Sequence, residues 1–120
     1  MANTFKVVTF AAEPASAGTP YVMYTVASST TTVVLGLVLS NINTTAVTAE
    51  VELVSTTSSR GCVNNVANGT SFLIKDVNIP TGSSLEILSG GKVVLEAGDK
   101  IQIDCSVADK LSGTLSIMEI

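Results

Sequence analysis

The chain contains no histidine and no tryptophan among its 120 residues. Without histidine the commonest general base is missing, and the Ser/His and Cys/His pairs that activate nucleophiles cannot form. Cys62 and Cys105 are too far apart in sequence for a CxxC motif, and no histidine could complete a zinc site with them. The phosphate-binding motifs GxxxxGK[ST] and GxGxxG do not occur either. The sequence therefore predicts a protein that is not an enzyme and holds no metal or cofactor.

Charged residues are also scarce, at 13% of the chain, against about 25% in an ordinary soluble domain. Six basic residues are scattered among ten acidic ones, giving a net charge of −4. Nucleic acids and anionic membranes both require clustered Lys and Arg, so neither is an expected partner. Ser and Thr instead fill 29 of the 120 positions. Such a surface is typical of a protein partly covered by other subunits, and a monomer with a Thr-rich sheet face is the alternative.

Targeting and membrane segments are not recognised in the sequence. The first residues, MANTFKVVTF, lack the basic region and apolar stretch of a signal peptide. The longest aliphatic run, Val33–Leu39, is far shorter than a membrane span. We therefore expect a soluble protein made in a cytoplasm. In that compartment Cys62 and Cys105 are expected as buried free thiols, with a disulfide formed after release from the cell as the alternative.

Short runs of alternating or continuous apolar residues recur along the chain, separated by Gly, Pro, Ser, Thr and Asn. No window has helical periodicity, and turn signals recur about every eight to twelve residues. This spacing predicts an all-β protein: a single antiparallel β-sandwich over residues 1–120, jelly-roll-like or immunoglobulin-like, with about eight or nine strands. The predicted strands are Thr4–Ala12, Tyr21–Ala27, Val33–Asn41, Val47–Ser55, Ser71–Ile79, Leu85–Leu88, Lys92–Glu96, Lys100–Val107 and Leu111–Ile120.

Two segments carry more detailed predictions. The strand Val33–Asn41 is apolar on both faces, which is typical of the middle of a structure or of an interface, and its alternation places Leu35 and Leu37 on one side. In Leu95–Ile103 (LEAGDKIQI) a turn is expected at Gly98, with Asp99 in solvent; an exposed tip that touches a neighbouring subunit is the alternative. The aromatic side chains lie in predicted strands and are expected in the core: Phe5, Phe10, Tyr21, Tyr24 and Phe72.

The C-terminal half carries a set of recognisable motifs. They are IPTGSSLEIL at Ile79–Leu88, GKVVLEAGD at Gly91–Asp99, a serine- and alanine-containing strand around Ser106–Ala108, and the ending Met118–Ile120. Together with the first residues, MANTFKVVTFAAEP, these motifs resemble small virion structural proteins of tailed bacteriophages, most closely those of T4-like phages of marine cyanobacteria. The resemblance covers most of the chain and is weakest over Thr56–Gly69.

The resemblance implies a structural protein that is assembled in the host cytoplasm, resides in the virion and has no catalytic residues. On this basis we expect a capsid decoration, or cement, protein. It would bind the head shell as a homo-oligomer, a trimer or a dimer, with the major capsid protein as its partner. A neck or tail component, such as a collar or sheath-associated module, is the first alternative, and a host-surface or glycan-binding display module is the second. A hydrolase is the least supported alternative, because the sequence offers no general base.

Contact residues are expected in three segments. The first is the N-terminal strand, as an arm that pairs with a neighbour's sheet edge. The others are the loops Glu13–Pro20 and Thr56–Gly69, whose composition favours exposure. The candidate contact residues are Asn3, Phe5, Val7, Thr9, Glu13, Pro14, Pro20, Arg60, Asn64, Asn65 and Asn68.

Overall fold

The structure, a computed structural model, describes residues 3–55, 69–88 and 91–120. These ranges contain nine β-strands and no helix, so the predicted all-β class is confirmed. The strands are β1 (Thr4–Glu13), β2 (Tyr21–Thr25), β3 (Thr32–Asn41), β4 (Val47–Val54), β5 (Thr70–Ile79), β6 (Ser84–Glu86), β7 (Val93–Leu95), β8 (Lys100–Cys105) and β9 (Leu111–Glu119).

The strands form two antiparallel sheets that pack face to face. Sheet 1 has the order β1-β9-β3-β6, with β7 also paired to β3, and sheet 2 has the order β2-β8-β4-β5. The pairs are nested along the chain: β4 with β5, β3 with β6 and β7, β2 with β8, and β1 with β9. Such nesting in a two-layer sandwich is jelly-roll topology. The predicted β-sandwich is thus confirmed, in its jelly-roll form.

The core lies between the two sheets because alternate side chains of each strand point inward. On β9 Leu111, Leu115 and Ile117 are fully buried, and on β8 Ile101 and Ile103 are. Full burial of a side chain of this kind stabilises the fold by about 1.5–3 kcal/mol. The other fully buried large side chains are Val34, Leu37, Leu39, Val47, Val51, Ile79 and Leu95.

A β-bulge in β3 corrects the facing predicted for that strand. The pairing of β3 with β9 shifts register between Val34 and Gly36. One extra residue reverses the alternation beyond it, so that Val34 and Leu37 are both buried while Leu35 is 36% exposed. Leu35 therefore lies on the opposite side from Leu37.

The segment LEAGDKIQI forms the predicted turn, but one prediction within it is wrong. Gly98 has a φ of 89°, a conformation that favours glycine. Asp99 was expected in solvent and is only 4% exposed. Its Oδ2 atom accepts a hydrogen bond from the backbone N–H of Glu96 at 3.0 Å, and its carbonyl accepts one from the N–H of Val26 at 3.0 Å. Asp99 thus ties the turn to the chain that follows β2.

Candidate functional site

A row of apolar side chains crosses the outer face of sheet 1. Phe5 on β1 lies opposite Met118 on β9, Met118 lies opposite Val33 on β3, and Val33 lies opposite Val94 on β7. Directly opposed residues of antiparallel strands point to the same side, so the four side chains form a continuous line. Phe5 and Val94, at its two ends, are 71% and 62% exposed, and the two middle residues are partly buried.

A hollow lies beside this row. In the neighbouring row Val7 pairs with Ser116, and Ser116 pairs with Gly36. Val7 is 63% exposed, whereas a Cβ atom placed on Gly36 would meet nothing within 4 Å apart from the adjoining residues. Within this row the surface thus changes from the bulky Val7 to the small residues Ser116 and Gly36. We call the apolar residues of this face the apolar patch: Phe5, Val7, Val33, Leu35, Val38, Val94 and Met118.

The two outer faces of the sandwich differ in charge. On sheet 2 Glu50 lies opposite Asp104, and Glu52 lies opposite Gln102. Lys75 Nζ lies 2.6 Å from a carboxylate oxygen of Glu50. The seven residues of the apolar patch include no ionisable side chain, although Glu86 borders the patch opposite Val38. One outer face therefore carries several charged side chains, whereas the other carries the apolar patch with Glu86 at its border.

The edge strand β1 adjoins the apolar patch. In the described residues it pairs only with β9, and its register runs without a shift from Thr4 to Phe10. The other edge strands are interrupted or short: β2 and β5 contain register shifts, and β6 and β7 have three residues each. A long regular edge offers a row of backbone N–H and C=O groups to another strand. β1 is thus the edge best suited to strand addition.

The predicted contact residues of β1 lie on or beside this face. Phe5 and Val7 belong to the apolar patch, and Thr9 lies opposite Thr114 in the next row. Asn3, which precedes the strand, is exposed. The structure therefore brings the four candidates of the N-terminal arm together at one edge of sheet 1.

The predicted contact loop Glu13–Pro20 is only partly exposed. Pro20 is exposed and Glu13 is half-buried at the end of β1. Pro14 is buried, so the expectation that it contributes to an exposed contact surface is corrected. The carbonyl of Pro14 accepts a hydrogen bond from the N–H of Asp109 at 2.8 Å, which draws this residue inward. The other predicted loop lies mostly outside the described residues, and with it the candidates Arg60, Asn64, Asn65 and Asn68.

Sequence reasoning missed five of the seven members of the patch. Those not predicted as contact residues are Val33, Leu35, Val38, Val94 and Met118, although the two-sided apolar character of the strand containing the first three was a usable signal. The expectation that all aromatic residues are core residues is also wrong. Phe5 is 71% exposed and Phe72 is 46% exposed. Phe72 lies on β5, with Lys75 Nζ 4.9 Å from its ring centre.

A network of polar side chains on the inner side of sheet 1 joins residues of four strands: β1, β2, β3 and β9. Tyr24 Oη donates a hydrogen bond to Glu119 Oε2 at 2.6 Å and lies 2.8 Å from Thr32 Oγ1. Lys6 Nζ lies 2.7 Å from Glu119 Oε1. The hydrogen bonds from Lys6 and Tyr24 hold the pKa of Glu119 below its usual range, and burial raises the pKa of Tyr24. Each of these groups has a partner, so the network ties the four strands together.

An open depression of about 370 Å³ on sheet 2 contains acidic groups. It is lined by residues that include Glu50, Asp76 and Asp104. Asp104 Oδ1 accepts hydrogen bonds from the backbone N–H groups of Gly18 and Cys105. Across residues 3–55, 69–88 and 91–120, no group of three or more His, Cys, Asp or Glu residues is placed to hold a metal ion. The same ranges contain no helix of sufficient length and apolar character to cross a membrane.

Known proteins share few detectable similarities with this chain. No protein-family model matches the chain, and no curated protein matches it. Among solved structures, the chain is similar to a protein of the Bacillus endospore appendages, described as a novel family of disulfide-linked pili. The two chains are 15% identical with a TM-score of 0.45, and the match covers 98% of this chain and 85% of that one. A likeness of this degree carries no argument about function.

Proposed function

We propose that this chain is a non-enzymatic structural protein of a bacteriophage virion. Its role is that of a capsid decoration, or cement, protein, which binds the head shell as an oligomer and stabilises it. The sequence motifs at Ile79–Leu88 and Gly91–Asp99 support the phage assignment through the resemblance that they carry. The jelly-roll topology supports it only by analogy, since this fold recurs in viral capsid domains and in lectins.

The apolar patch is the observation that carries the proposal of an assembly function. Phe5, Val7 and Val94 each expose more than 60% of their surface on one sheet face. Monomeric soluble proteins seldom leave an apolar face of this kind uncovered, and such faces mark interaction sites. In a particle, neighbouring subunits would cover this apolar face.

The mechanism is repeated binding without a chemical step. Each copy buries a modest surface against its neighbours, and the many copies on a shell lattice act together, so that weak single contacts give strong attachment. The free edge of β1 over Thr4–Thr9 supplies backbone groups for pairing with a neighbouring sheet edge. The proposed partners are the major capsid protein and further copies of this chain, with no nucleic acid and no membrane.

Immunogold electron microscopy of virions, with an antibody to the purified protein, tests the proposal. Label spread over the head supports a decoration protein. Heads prepared without the protein should then break at lower temperature or lower salt than the same heads after the protein is added back. Label confined to the neck or tail would replace this proposal with the alternative of a collar or sheath-associated component. Binding of the isolated protein to host cells would favour a host-surface display module instead.

A further inference from the structure

The charge distribution of the sandwich favours contact between two apolar patches. The chain has a net charge of −4, and the outer face of sheet 2 carries Glu52 and the ion pair of Glu50 with Lys75. In two copies stacked through their sheet 1 faces, successive sheets about 10 Å apart would keep the two sheet 2 faces about 30 Å apart and in solvent. Contact between sheet 2 faces would instead remove these charged groups from water, which costs free energy. Stacking through sheet 1 therefore leaves the charged face hydrated.

The surface shape of the apolar patch around these two rows is self-complementary. The bulky pair Met118 and Val33 lies one row from the small pair Ser116 and Gly36. In an interface with two-fold symmetry, a residue i of one copy contacts residue j of the other, and j contacts i in return. A two-fold axis between the two rows would thus seat the bulky pair of each copy over the hollow of the other. The open space above Gly36 is available for this.

The area of this sheet face approaches what such a contact needs. Four strands about 4.8 Å apart, over about seven residues at about 3.4 Å each, give a face of roughly 450 Å². Burial of two such faces removes about 900 Å² before the relief of the side chains is counted, close to the roughly 1,000 Å² of a specific interface. Two packed sheets also lie about 10 Å apart with nearly aligned strands, as in the sandwich itself.

We infer that the apolar patch is the two-fold interface of a homodimer. Sheet 1 of one copy packs face to face on sheet 1 of the other, with Met118 and Val33 over Gly36. The inference rests on the proposed function, because it gives the oligomer of the decoration protein its contact surface. The edge of β1 stays free in this arrangement, so it remains available for contacts with the shell.

Sedimentation equilibrium of the full chain over a concentration series tests the inference with a charge variant and its matched control. Val94→Lys places an ammonium group in the patch, and we expect the dimer dissociation constant to rise about tenfold or more. Val22→Lys makes the same change at a 40% exposed valine on β2 of sheet 2. The control should keep the dissociation constant of the wild type. Equal weakening by both variants would overturn the inference.

A second variant tests the complementarity without changing charge. Gly36→Val fills the hollow at a position where the added Cβ atom has no atom within 4 Å outside the adjoining residues. A strand favours valine over glycine, so the monomer should keep or gain thermal stability. We expect the dimer to weaken about tenfold or more, because the two bulky pairs no longer fit. If the patches associated only through non-specific hydrophobic contact, the added valine would instead strengthen association. That result would overturn the inference.

The outcomes separate this inference from the proposed function. A wild-type protein that remains monomeric at all concentrations, but binds heads and loses this binding on Val94→Lys, would show that a shell protein covers the patch. That result overturns the homodimer and leaves the decoration role standing. A dimer that both patch variants weaken and the control preserves supports the inference, even if no label is found on virions and the proposed function fails.

Discussion

Lys6 and Glu119 form an ion pair across β1 and β9, with Lys6 Nζ 2.7 Å from Glu119 Oε1. The other carboxylate oxygen of Glu119 accepts the hydrogen bond of Tyr24 from sheet 2. A single carboxylate therefore holds the edge strand of one sheet and an edge strand of the other. The stability of this corner should depend on the charge of Glu119.

Acid should destabilise the wild type partly through Glu119. The hydrogen bond from Lys6, followed by that from Tyr24, lowers the pKa of Glu119 in the folded state. Its contribution to stability is thus present above the unfolded pKa of about 4.3 and is lost as pH falls through the lower folded value. Glu119→Gln should flatten the dependence of urea midpoint on pH below about pH 5. Glu86→Gln, at an exposed position on β6, is the matched control; equal flattening by both variants would contradict the assignment.

Gly113→Ala should destabilise the fold. A Cβ atom on Gly113 would lie well within contact distance of the Phe10 ring. That ring cannot move freely, because it is buried and packs edge to face on Tyr21 with 5.3 Å between ring centres. We expect a loss of about 1–3 kcal/mol in urea unfolding. Gly36→Ala is the matched control on the neighbouring strand, with no atom within 4 Å of the new methyl group, and a similar loss there would refute the steric explanation.

Asn41→Ala should also lower stability. The Asn41 side chain is buried and donates hydrogen bonds to the carbonyls of Thr45 and Ile79 at 3.0 and 2.9 Å, while its Oδ1 accepts the N–H of Asn43 at 2.7 Å. Its removal leaves several backbone groups short of partners, at a cost of about 2 kcal/mol or more in chemical denaturation. Asn78→Ala, at an exposed position of β5, should stay within about 0.5 kcal/mol of the wild type. Comparable losses would argue against a special role for Asn41.

The thiol of Cys105 should be unreactive in the native state. Cys105 is 3% exposed, and burial raises its pKa, so little thiolate forms at neutral pH. In a Cys62→Ser background, a thiol reagent such as DTNB should react with Cys105 only after unfolding. Val107→Cys, made in a variant that lacks both Cys62 and Cys105, places a thiol at an exposed site. This thiol should react with DTNB at once. Rapid reaction of native Cys105 would show that its burial is not maintained.

The sequence predicted strands well because alternation and turn residues are local properties. Each predicted strand overlaps an observed one, from Thr4–Ala12 to Leu111–Ile120. Facing was harder to predict, since the bulge at Leu35 depends on pairing between β3 and β9 and the neighbouring Gly36 is only a weak local signal of it. Burial of Pro14 likewise depends on a partner, Asp109, that is distant in sequence.

The candidate site was predicted only in part for the same reason. Phe5 and Val7 could be selected as members of an N-terminal arm. Their neighbours Met118, Val33 and Val94 come from three other strands, and only the register of sheet 1 aligns them. A surface that is assembled from four strands has no sequence motif of its own.

The nesting of β1 with β9 also affects the order of folding. Ser112 Oγ donates a hydrogen bond to the carbonyl of Phe10, which lies 102 residues away in the chain. On a ribosome β1 emerges before β2 to β8 and its partner β9 emerges after them, so sheet 1 cannot close until all nine strands are available. Contacts of such long range slow folding. During that interval the side chain of Phe10, which is buried in the folded protein, is exposed on an unpaired strand. The nascent chain then depends on rapid completion of the sheet or on a chaperone.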